Sequence, residues 1–205
     1  MVAYFNLLAT ILSLISLALL LAAMGSWSTD KDTIEQNNWL HSDNKDSGVW
    51  FGLQAVATEA GDVYKYAKCD FGETSDICDS CDSAGQNAAS LLVIAWVACL
   101  FNLILNGVSI SMEGPVKFAA VGTSLLAPLF TMAAFASFMG SDCYDDIKSQ
   151  INAQGDNVKY GASSGLVLAA LFLLSVSVVP TVLGAVAPAE PVPAHDSKPV
   201  PTDSN

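Results

Sequence analysis

The chain has no arginine, only two histidines and few charges of any kind. Its eight basic side chains are all lysine, against 20 Asp plus Glu, which gives a net charge of -12 over 205 residues. Nucleic acid and anionic membrane surfaces are repelled by such a balance, because binding phosphate needs clustered Lys and Arg. Charged residues make up 14% of the sequence and hydrophobic ones 52%, where a soluble domain carries about 25% charged residues. His41 and His195 are the only imidazoles, and there is no Gly-x-Ser-x-Gly or phosphate-cradling glycine loop. Nucleophilic catalysis therefore has no visible constellation, and neither an enzyme nor a cofactor is expected. The first loop also lacks an Asn-x-Ser/Thr acceptor for glycosylation.

What the sequence does have is four long apolar runs, over about residues 4–26, 88–111, 116–139 and 160–187. Each is long enough, at 1.5 Å per residue, to cross a hydrocarbon core of about 30 Å. The expected fold is an all-α membrane protein, a single four-helix transmembrane bundle whose first partner is the lipid bilayer. The first run has the length of a span and no positive region before it, so a retained helix is expected over a signal cleaved near Ala23-Met24-Gly25. Met112-Glu113-Gly114-Pro115 is so short a link that the second and third spans must be antiparallel neighbours. Residues 188–205, rich in Pro, Ser and Ala, read as a disordered cytoplasmic tail.

None of the runs carries an Asp, Glu, Lys, Arg or His away from its ends. Proton relays and ion-coupled transport need such groups at depth, so the bundle interior is not expected to do chemistry. Asn102 and Asn106, one helical turn apart, are expected to hydrogen-bond between helices, and Gly161-x-x-x-Gly165 to let two backbones approach within the bundle. Pro128 and Pro180 should kink the third and fourth helices.

Two polar loops remain, about residues 27–87 and 140–159. The first carries twelve carboxylates against four lysines, but also Trp27, Trp39, Trp50, Phe51, Tyr64, Tyr66 and Phe71, too much aromatic surface for a solvating linker. Positive-inside counting is almost silent, since only Lys117 and Lys198 lie on the other side. Cysteines decide the orientation instead: Cys69, Cys78, Cys81 and Cys143 all fall in the two loops, and Cys99 alone in a span. That clustering points to disulfides on an oxidising, extracellular side, with both termini cytoplasmic and the plasma membrane as the expected site. Three pairings are open; Cys69 with Cys78 or Cys81 closes a short loop and leaves the other for Cys143. Cys78-Asp-Ser-Cys81 as half a zinc site is disfavoured because a zinc site needs four ligands, and no metal is expected. Asp70, Glu73, Asp76, Asp79 and Asp82 are close in sequence. They either solvate the loop or concentrate cations above the membrane.

Four spans, a long first loop and a short second one, together with Trp27 after the first span, Gly48-Val49-Trp50, and Asn157-Val158-Lys159-Tyr160-Gly161-Ala162-Ser163 leading into the fourth span, resemble the claudin and peripheral-myelin-protein superfamily. The likeness covers about residues 1–187 and is one of architecture: Leu53 stands where the family has its first loop cysteine, and the first here is Cys69. The resemblance implies a left-handed bundle whose first loop forms an antiparallel sheet laid over the membrane, with Trp27, Gly48 and Trp50 as its signature. It implies lateral assembly with itself or association with another membrane protein. The alternative is an auxiliary subunit of an ion channel or a small cation-selective pore former.

Overall fold

The computed structural model describes residues 2–42, 48–68, 75–110, 114–153 and 155–187. Cys69, Asp70, Glu73, His195 and the tail from 188 onward lie outside the described residues. Among the described residues four helices are long and apolar enough to cross a membrane: α1 (Val2–Ala23, continued by a 3₁₀ turn Met24–Trp27), α3 (Ser75–Ser109), α4 (Pro115–Met139) and α6 (Ala162–Val186). They pack as a ring, α3 on α4 and α1 on α6, closed through α4 with α6 and α1 with α3. Gly114, at φ 108, turns the chain in the left-handed region, and Pro115 then opens α4, where its missing N–H costs nothing. Pro128 and Pro180 both lie inside their helices.

The second span is the interior part of a longer helix. α3 has 35 residues and begins at Ser75, in a stretch whose polarity reads as the end of the first loop. At 1.5 Å per residue it is about 52 Å long, well beyond a hydrocarbon core of about 30 Å. Cys78 and Cys81 therefore sit on a helix and not in a loop. The second loop is likewise largely helical: α5 (Asp142–Ala153) buries Cys143, Ile147 and Ile151 at helical spacing.

The first loop holds a short helix, α2 (Lys31–Gln36), and four strands, β1 (Leu40–Ser42), β2 (Val49–Phe51), β3 (Ala55–Thr58) and β4 (Val63–Lys65). The second loop contributes β5 (Val158–Tyr160). Together they form one antiparallel sheet in the order β4-β3-β2-β1-β5. Register places Tyr160, Leu40, Phe51, Val56 and Tyr64 in one cross-strand row and Lys159, His41, Trp50, Ala57 and Val63 in the next. Successive side chains on a strand point to opposite faces, and the two rows part accordingly. Leu40 and Val56 belong to the main core, with Phe51 and Tyr64 packed on it. Ala55 and Ala57 face the other way, onto Ile34 of α2, with Trp50 and Val63 alongside. The two loops thus make one head, a sheet covered by α2 on one face and seated on the bundle by the other.

Candidate interaction site: the head and its seat on the bundle

Trp39 is the largest fully buried side chain among the described residues. Its ring lies against Phe138 of α4 at 5.1 Å between centroids, with Phe135 at 6.3 Å. The indole Nε1 donates to Ser26 Oγ at 2.8 Å, and that hydroxyl donates to Ala23 O at the end of α1. Its backbone N–H donates to Phe51 O of β2, and its carbonyl accepts from Gly161 N–H. One residue therefore ties the sheet to α1, α4 and the start of α6.

The first turn of α6 needs partners because a helix begins with unsatisfied N–H groups, and its N-cap, Gly161, offers no side chain. Asn37 and Asn38 supply them: Ser163 N–H donates to Asn38 O at 3.0 Å and Ser163 Oγ to Asn37 O at 2.8 Å. A Cβ at Gly161 would collide with Asn38 O, so this close approach requires glycine. Gly165 behaves otherwise. It is exposed and nothing lies within 4 Å of where its Cβ would be, so the Gly161-x-x-x-Gly165 pair does not act as one packing motif inside the bundle. The close helix contact is at Gly184, whose Cβ would run into Asn6 Oδ1 of α1.

Of the loop signature, Trp27 is 42% exposed at the end of the 3₁₀ turn that follows α1. Trp50 lies half-buried on β2, and a Cβ at Gly48 would stand 2.7 Å from its ring. Gly48 thus leaves room for Trp50 to fold over the backbone. Tyr66, fully buried below the sheet, donates its hydroxyl to Gly52 O at 3.3 Å, and burial holds its phenol well above the usual range.

A disulfide joins Cys81 of α3 to Cys143 of α5 across 62 residues, with both sulfurs' residues fully buried. Cys78 is disulfide-bonded as well, and Cys99 is a buried free thiol that donates to Ser13 O. Beside the bond, Ser80 Oγ donates to Asp146 Oδ2 at 3.5 Å. One turn below it, Gly85 meets the backbone of Leu53 so closely that a Cβ would overlap Leu53 O. The projecting turns of α3 are therefore fixed to α5 on one side and to the β2–β3 turn of the head on the other.

Acids flank the bonded cysteines in sequence. On α3 Asp79 is exposed and Asp82 half-exposed, accepting from Gln86 Nε2 at 2.8 Å, and α5 carries Asp142, Asp145 and Asp146. Asp76 lies on α3 as well. Tyr144 donates or accepts a hydrogen bond with Tyr160, and its phenol is raised, first by desolvation and then by that neighbour. Among the described residues, no three His, Cys, Asp or Glu side chains converge to hold a metal ion.

Inside the bundle, Asn102 and Asn106 are fully buried. Asn102 Nδ2 donates to Ser13 Oγ of α1 at 2.9 Å, and Thr123 Oγ1 of α4 approaches Asn102 Oδ1 at 3.5 Å. Asn106 Nδ2 donates to both Asn102 O and Asn102 Oδ1 at 2.9 Å, and its own Oδ1 is buried without a donor. Asn6 Nδ2 donates to Ser109 O at 3.4 Å. With Ser13 bonded to α3 and Ser26 to Trp39, α1 is an integral wall of the bundle.

Sequence reasoning singled out Trp27 and Trp50 and passed over Trp39, although Trp39-Leu40 is an apolar pair inside a polar stretch. It also passed over Gly85 and Gly184, whose partners are set by which helix faces which. A scan against protein-family models finds no match to this chain, and a search of curated proteins finds none either.

Proposed function

We propose that the protein is a structural membrane protein of the claudin-like type, acting at the cell surface by lateral assembly or by association with another membrane protein, and not a catalyst. The observation that carries this reading is the single antiparallel sheet built from both loops and closed by the β1–β5 pairing. The resemblance implies a sheet from the first loop, to which the second loop here adds β5, and the head so formed stands above four spans with no Asp, Glu, Lys, Arg or His at depth. The Cys81–Cys143 bond between the projecting turns of α3 and α5 supports placing both loops on an oxidising, extracellular side. Cross-linking in native membranes tests the proposal. A ladder of homomers is expected for an assembler and one fixed heteromer for an associating protein; a monomer alone, with nothing co-purifying in mild detergent, overturns both.

A second reading, an ion-channel auxiliary subunit or cation-selective pore former, draws on the acids that flank the bonded cysteines on α3 and α5, Asp79 and Asp82 with Asp142, Asp145 and Asp146. Exposed charges act over about 8 Å at physiological ionic strength, so they count only as a group. Changing these five to Asn should lower cation-over-anion permeability or partner-channel conductance. If neither moves while the amount of protein at the surface is normal, the acids serve solvation alone.

A further inference from the structure

No further inference is drawn: the strongest candidate, the Asn102–Asn106 amide pair buried between α1, α3 and α4, belongs to the helix-packing network already described, and the unpaired Asn106 Oδ1 is too fully covered for a ligand to reach it.

Discussion

On the spans many large side chains face outward, and small and polar ones line much of the interior beside Leu20, Leu92, Phe138, Val167 and Leu174, whereas the head buries its large side chains. Leu14, Phe118, Leu129 and Phe172 are exposed on the spans, while Ser13, Ser16, Asn102, Ser124, Thr131 and Ser177 are buried between them. In the head the buried residues are Trp39, Leu40, Ile34, Leu53 and Val56. The difference follows from the solvent. Lipid tails are as apolar as leucine, so helices in a bilayer gain little by burying large side chains and associate through close backbone approach and hydrogen bonds. Several of the buried hydroxyls return to their own helix: Ser16 donates to Leu12 O, Thr131 to Ala127 O and Ser177 to Leu174 O. Satisfied in this way, they can occupy the interior without leaving a bare donor. The head faces water, where burying aromatic and aliphatic surface and closing loops with disulfides supply the stability.

The largest expected effect is at the seat between the two regions. Trp39→Ala removes a buried indole and should cost about 3 to 5 kcal/mol, read as a fall in thermal stability in mild detergent and faster proteolysis of the head. Trp27→Ala, at an exposed position, should stay within about 0.5 kcal/mol. Equal losses from the two would mean that the head does not rest on Trp39.

Next comes the bond between α3 and α5. Losing a native disulfide from a small extracellular domain costs about 2 to 5 kcal/mol, so Cys143→Ser should destabilise the head by a similar amount. Non-reducing peptide mapping should recover a Cys81–Cys143 peptide from the natural chain and find Cys99 reduced. Free thiols at Cys78, Cys81 and Cys143 would place the loops in a reducing compartment.

Glycines sharpen the contrast within one helix. Gly161→Ala must push against the Asn38 backbone and should cost about 1 to 3 kcal/mol, as overpacking does. Gly165→Ala faces open space and should stay within about 0.5 kcal/mol. A reversed order would show that α6 is turned differently against the head. An effect smaller than at Trp39, Cys143 or Gly161 is expected in the polar seam: Asn102→Leu forfeits interhelical bonds that in membranes average about 0.6 kcal/mol and reach about 1.7. A larger loss would give that seam more weight than its geometry suggests.

The four spans were legible because charge is absent from them, and that absence has no other economical cause. The first turns of α3 were not, since residues 75–87 are rich in Asp and Ser. A stripe does run through them, Cys78, Cys81, Ala84, Gly85 and Ala88, all buried, and its three- and four-residue spacing is a helical signal inside a polar segment. The same holds for Cys143, Ile147 and Ile151 in α5. The sheet came only through the family likeness, because strands of three and four residues leave too little alternation to detect. The partners of Gly85, Gly161 and Gly184 depend on contacts between segments far apart in the chain, which a single sequence does not record.

The most direct test of the central claim, that both polar loops build one head on one side of the membrane, is epitope accessibility in intact cells. Tags near Asp43 and near Gly155 should both be reached by antibody, while tags at the N-terminus and after Asn205 stay shielded until the membrane is permeabilised. Loops accessible from opposite sides, or a single exposed terminus, would contradict the four-span arrangement and with it the β1–β5 sheet.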